Sequence, residues 1–176
     1  SGELFCVVIA DLNAFKEIND TYGHGAGDQL LRHVADSMQA AVGSTGTVAR
    51  LGGDEFAVIL RGIKNAENVR KICEKIIARC TNPILHHDAE ITTHVSLGVS
   101  IYPTDGKNIS DLTRHADLAM YHGKRAGNNE SSYCFFSSEI DAKDREARAI
   151  KVEIRRAIER QDFILHYQPK YNILTN

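Results

Sequence analysis

Two periodicities alternate along this chain and predict a succession of strands and helices. Leu4 to Ala10 is an unbroken apolar run closed by Asp11, the pattern of a strand buried on both faces. A short helix is expected over Asn13 to Asn19. A longer one should run from Asp28, at its N-terminal end, to about Val42, with Leu30, Leu31, Val34, Ala35 and Met38 on one face. Val48 to Leu51 and Phe56 to Leu60 flank two glycines, which predicts a hairpin over Thr47 to Arg61 turning at Gly52-Gly53. Val69, Ile72, Cys73, Ile76, Ile77 and Cys80 then recur at helical spacing up to Pro83. Strict alternation from Ile91 to Ile101 predicts a half-buried strand. A turn at Pro103, Asp105 and Gly106 leads into a helix of about Ser110 to Arg125. That helix offers Leu112, Ala116, Ala119 and Met120 to the core and stops at Gly127. Tyr133 to Phe136 is a short closing strand. Strands separated by helices, with one hairpin, predict an α/β sandwich with a mixed central sheet.

Beyond Ser138 the pattern changes. Residues 138–161 alternate in charge with only Ile150, Ile154 and Ile158 at apolar spacing, which predicts a solvated linker helix. Composition narrows the class without naming a function. The 176 residues suffice for one full core and a fragment of a second domain, and the abrupt ends suggest a piece of something longer. Apolar residues make up 43% and charged residues 25%, ordinary for a soluble globular chain. A net charge of −2 gives no general pull toward nucleic acid or an anionic membrane, so any phosphate binding must be local. No apolar run reaches membrane length, and the opening residues are not expected to act as a signal peptide. Cys6, Cys73, Cys80 and Cys134 lack paired spacing and sit in apolar stretches, so they are expected as reduced core residues in a cytoplasmic setting.

Candidate chemistry centres on two places. Asp11 ends a buried strand, and strand ends in α/β sheets are where ligands bind. Asp54 and Glu55 follow the hairpin glycines at once, where the plain alternative is a pair of solvated turn acids. If both sets meet at one sheet edge they form a hard-cation site.

Three stretches carry a family resemblance: Asp11-Leu12-Asn13-Ala14-Phe15-Lys16-Glu17-Ile18-Asn19-Asp20, Gly23-His24-Gly25-Ala26-Gly27-Asp28 and Gly52-Gly53-Asp54-Glu55-Phe56. In this order they resemble the GGDEF domain of diguanylate cyclases, over about residues 1–137. The resemblance implies a nucleotidyl-cyclase or palm-like sandwich with a GGDEF hairpin, condensing two GTP into cyclic di-GMP with Mg2+, Mn2+ being an alternative ion, as a pair of domains. It implies Asp11, the Leu12 carbonyl and Asp54 at the metal, with Asp54 also helping to deprotonate the attacking hydroxyl. Since alternation sends Asp54 and Glu55 to opposite sides of a strand, Asp54 is expected to point inward and Glu55 ranks second. The resemblance also sets Lys16 near the β- and γ-phosphates, Asn19 and Asp28 on guanine, and Lys124 on phosphate. A carboxylate accepts from N1–H and the exocyclic amine of guanine, and an amide serves its acceptors. The plain alternatives are a solvent-facing Lys16 and helix capping by Asn19 and Asp28. His24 is expected to shape its loop, and the remaining histidines form no metal-ligand cluster by spacing.

Two departures stand out. The family's phosphate-binding arginine four residues after the lysine is Asn128 here, and the Arg-x-x-Asp product-inhibition pair is replaced by Gly43-Ser44-Thr45-Gly46. The tail Phe163 to Pro169 resembles the opening strand of an EAL phosphodiesterase domain, so residues 162–176 are expected to begin such a partner domain. The competing expectations are a GTP-binding regulatory module acting on that EAL domain, and a folded spacer that binds no nucleotide.

Overall fold

The computed structural model describes residues 4–126 and 130–169. It divides into two compact units, 1–141 and 142–176. In the first unit the elements are β1 (Phe5–Asn13), α1 (Phe15–Tyr22), α2 (His24–Val42), β2 (Gly46–Gly52), β3 (Glu55–Arg61), α3 (Ala66–Cys80), β4 (Ile84–His86), β5 (Ala89–Ile91), β6 (His94–Tyr102), α4 (Ile109–Ala126) and β7 (Ser132–Phe135). Five strands form one sheet in the order β2-β3-β1-β6-β7, antiparallel except for the parallel β6–β7 pair. The sheet is therefore mixed, as the element order predicts.

Strand alternation divides β1 between two layers. Cys6, Val8, Ala10 and Leu12 enter the large core with Leu30, Val34 and Met38 of α2 and Val69, Cys73 and Ile76 of α3. Val7 and Ile9 face the other way, onto Leu112, Ala116 and Met120 of α4. Helices thus cover both faces of the central strand, and each large side chain fully buried there contributes about 1.5–3 kcal/mol. Local signals start two of the helices. The Asn65 side chain accepts from the Asn68 amide at 2.9 Å ahead of α3, and Asn108 accepts from the Asp111 amide at 2.9 Å in the first turn of α4. The cysteines are free; Cys6, Cys73 and Cys80 are buried, and burial pushes each thiol up to about 12.

Four expectations are corrected. The strand expected over Ile91 to Ile101 is β6, and it is buried throughout Val95 to Ser100 because β1 and β7 flank it and helices cover it. Ile91 belongs instead to a separate two-stranded hairpin, β4–β5, where it pairs with Ile84. Asp28 does not open α2, which begins at His24 after Gly23, so Asp28 occupies the second turn and is no cap. The hairpin turns at Gly53-Asp54, one residue later than predicted, with a register shift between Arg50 and Gly52. Gly53 has φ 54°, a conformation that suits glycine.

The second unit contains the body of α5 (Ser138–Arg160), which is exposed at Ile150, Ile154 and Ile158. Residues 162–169 have no regular secondary structure, and Phe163, Ile164, Leu165 and Tyr167 are exposed. Gly127, Asn128 and the end of the EAL-like tail lie outside the described residues. Among the described residues, no helix is long and apolar enough to cross a membrane.

Candidate active site

The site is assembled at the end of β1. Asp11 continues the Val7, Ile9 row and so faces α4. The β1–β3 register sets it directly across from Glu55, and the β1–β6 register sets it across from Ser96. Glu55 shares its face with Ala57, which packs on the α4 side. Asp11 and Glu55 are therefore the directly opposed carboxylates of the two strands. Asp54 lies in the turn before β3 starts, so strand alternation does not govern its direction.

That turn is held from two sides. The Leu12 amide donates to the Asp54 carbonyl at 3.3 Å, tying the turn to the end of β1. Arg50 donates to the Gly53 carbonyl from Nε at 3.0 Å and Nη2 at 2.7 Å. The Leu12 side chain is buried, which anchors this backbone in the core.

Lys124 reaches the same place from α4, one turn beyond Met120. Its ammonium donates to Asp11 Oδ1, forming an ion pair in which the two side chains are 32% and 16% exposed. Asp117, two turns earlier on α4, lines a groove of about 600 Å³ together with Ile9, Leu51 and Glu55. Its carboxyl is pushed above the ordinary range, first by partial burial and then by the charge of Asp11.

The other candidates gather at the α1–α2 junction. Asn19 is half-buried, and its carbonyl accepts from the Gly23 amide at 2.9 Å. Its side chain lies against Gly27: a Cβ at that position would fall onto Asn19 Oδ1, 2.9 Å from Asn19 Cγ and 3.1 Å from Phe15 Cζ. Glycine at 27 is what lets the two helices close around Asn19. Asp28, exposed, lines a cleft of about 440 Å³ with Leu31, Arg32, Arg50 and Phe56. Lys16 is exposed in the first turn of α1, and His24 is exposed at the start of α2. Arg50 thus touches both the hairpin turn and the Asp28 cleft.

Three residues of this neighbourhood escaped the sequence reading. Asn13 is 3% exposed, accepts from Ser96 Oγ at 2.9 Å and donates to the Glu130 carbonyl at 3.3 Å. Its signal was its position two residues past Asp11 on one strand face. Arg50 is signalled only by lying three residues before Gly53, and Asp117 by its spacing of seven from Lys124. Among the described residues, no three His, Cys, Asp or Glu side chains converge as an all-protein metal cage. The carboxylates around Asp11 suit a hard cation that takes one or two protein oxygens and fills its sphere with phosphate and water.

The family profile "Diguanylate cyclase, GGDEF domain" matches residues 1–130. The chain belongs to the GGDEF family. Among curated relatives, the bifunctional diguanylate cyclase/cyclic di-GMP phosphodiesterase MucR of Pseudomonas aeruginosa is 40% identical over 94% of this chain and 24% of its own length. The cyclic di-GMP phosphodiesterase PdeR of Escherichia coli is 34% identical over 93% of this chain and 24% of its own length. Both matches span about a quarter of the relative. The crystal structure of the GGDEF domain of TpbB from Pseudomonas aeruginosa superposes with a TM-score of 0.72 at 35% identity, covering 77% of this chain and 83% of that one. This GGDEF domain therefore has the diguanylate cyclase fold, and its relatives carry the names of cyclases and phosphodiesterases alike.

Proposed function

We propose that this GGDEF domain condenses two GTP molecules into cyclic di-GMP, working as a pair of domains that each present one nucleotide to the other. In each half-reaction a 3′-hydroxyl attacks the α-phosphorus of the facing GTP. A new P–O bond forms, the bond to the β-phosphate bridge breaks, and pyrophosphate leaves; two such steps close the ring. The observation that supports this reading most is the opposition of Asp11 and Glu55 across one strand pair, beside a turn that carries Asp54 and is tied to Leu12.

Asp11, Asp54 and the Leu12 carbonyl would hold Mg2+, or Mn2+, with Glu55 as a further oxygen donor. The ion would neutralise phosphate charge and align the triphosphate. Lys16 and Lys124 neutralise phosphate oxygens, Asp54 accepts the proton of the attacking hydroxyl, and Asn19 and Asp28 read guanine from either side of Gly27. Such chemistry is mostly alignment and charge compensation, which fits a site of carboxylates and lysines on rigid strands and helices. We assign residues 1–137 to the catalytic module, 138–161 to a linker helix and 162–176 to the start of an EAL domain, in a cytoplasmic setting where GTP is supplied.

A second reading, a regulatory module that binds GTP and controls an attached EAL phosphodiesterase, draws support from the phosphodiesterase relative PdeR and from Asn128 in place of the phosphate-binding arginine. Incubating the chain with Mg2+ and GTP and resolving products by chromatography separates the two. Cyclic di-GMP is expected; calorimetric GTP binding without product establishes the regulatory reading, and no GTP binding removes both.

Base selection supplies a sharper check. Asp28→Ala removes the acceptor for the guanine N1–H and amine, a loss of about 1.5–3 kcal/mol for hydrogen bonds to a charged group. GTP affinity is expected to fall about tenfold or more, with ATP affinity unchanged, as read by calorimetry. An unaltered GTP-to-ATP ratio would remove Asp28 from base recognition.

A further inference from the structure

The ion pair between Lys124 and Asp11 joins two residues that the proposed reaction uses separately, one on phosphate and one on the metal. The pair spans the α4–β1 contact and joins positions 113 residues apart in sequence. The Lys124 side chain is 32% exposed, so the pair lies at a partly covered edge. Glu55 lies across from Asp11, and Asp117 shares the adjoining groove. Without a cation here the strand end would set Asp11 among like charges that repel it. A divalent ion approaching Asp11 would meet the ammonium at contact distance, and like-signed charges that close repel strongly at a partly covered site.

We propose that Lys124 is the resident counter-ion of Asp11 in the nucleotide-free domain and is exchanged for the divalent cation when nucleotide enters, its ammonium passing from the Asp11 carboxylate to a phosphate oxygen. This inference rests on the reading of Asp11 as a metal carboxylate. The exchange makes metal and triphosphate entry mutually dependent. Metal alone must displace an ammonium that gains no phosphate oxygen in exchange. Metal arriving with phosphate supplies the ammonium with a new partner at the same moment. By linkage, nucleotide raises metal affinity by the factor by which metal raises nucleotide affinity. An unbranched flexible lysine suits this role, since its compact charge re-aims by rotating its stem while the helix stays in place.

The test is a titration of Mn2+ into the nucleotide-free chain, with free ion followed by electron paramagnetic resonance, and a parallel titration of 3′-deoxy-GTP with Mg2+, which lacks the attacking hydroxyl and cannot turn over. Lys124→Met is expected to tighten Mn2+ binding about tenfold and to weaken 3′-deoxy-GTP binding about tenfold, opposite changes from one substitution. Lys124→Arg, which keeps the charge, is expected to leave Mn2+ binding near the parent value. Lys124→Gln repeats the neutral case should methionine disturb the fold. Asp11→Asn is expected to abolish the Mn2+ binding that Lys124→Met tightens. If neutral variants at 124 leave Mn2+ affinity unchanged or lower it while Asp11→Asn abolishes binding, the exchange is overturned and the metal role of Asp11 stands. If Asp11→Asn leaves Mn2+ binding intact, the metal role itself falls, and the exchange with it.

Discussion

Asp11→Asn is expected to lower cyclic di-GMP synthesis about a thousandfold while leaving the domain folded. The change removes a carboxylate charge at the point where β1, the hairpin turn and α4 meet. Losing a carboxylate that would hold the divalent ion forfeits several kcal/mol of the transition-state stabilisation that ion would give the phosphates, and about 4 kcal/mol corresponds to about three decades in rate. The fold has little at stake, because asparagine is nearly isosteric with aspartate. Separating a partly exposed pair costs on the order of 1 kcal/mol. Product chromatography reads the first expectation and thermal melting followed by circular dichroism reads the second. Synthesis that falls only in proportion to folded protein would make Asp11 a structural residue. Comparing Asp54→Asn and Glu55→Gln under the same conditions then ranks the two hairpin acids, one in the turn and one opposite Asp11.

Gly98→Ala is expected to produce the largest loss of stability among glycine-to-alanine changes at the described glycines. Gly98 lies in β6, across from Ile9 of β1 and beside Cys134 of β7. A Cβ at this position would fall onto the Ala116 carbonyl oxygen and the Met120 nitrogen of α4, and 2.6 Å from Met120 Cβ. Two of these atoms are helix backbone, so no rotamer change relieves the clash. Either the whole helix or the central strand must move. Overpacking in a tight core typically costs 1–3 kcal/mol, and a backbone-to-backbone conflict belongs at or above about 3 kcal/mol. For a chain of this size that lowers Tm by about 6–12 °C. A shift under 2 °C would mean that α4 rides loosely on the sheet. Because α4 also carries Lys124 and Asp117, synthesis is expected to fall by more than the unfolded fraction explains. By contrast Gly27→Ala meets mainly the Asn19 side chain, so its chief effect is expected on GTP affinity.

Much of this architecture is legible in the chain because its signals are local. The apolar run before Asp11, the two glycines before Asp54 and the helical spacing in α3 and α4 each specify an element without reference to the rest. The three motif stretches, in their order, likewise suffice to identify the family. What remained hidden depends on long-range register. β6 alternates apolar with small polar residues and so reads as half-buried; the strands on either side and α4 close over Ser96 and Ser100, and only that packing makes it central. The β4 and β5 strands are three residues each, too short for any period to be read.

The ordering of the hairpin acids shows the same division. Alternation along a strand is a property of sequence, but where the strand begins is set by the Arg50 clamp, the Leu12 bond and the register shift after Arg50. Those put Asp54 in the turn and Glu55 across from Asp11. The pairing of Lys124 with Asp11 lies wholly beyond sequence, since it requires α4 to cross β1 at a height fixed by Gly98, Ala116 and Met120. The sequence by itself thus determined the family and most of the long elements, with Ile91 and Asp54 among the residues it placed on the wrong one. The tertiary structure alone decided which charges face one another, because the distance between two side chains on different elements is set by strand register and helix crossing, and neither is encoded in any contiguous stretch of chain.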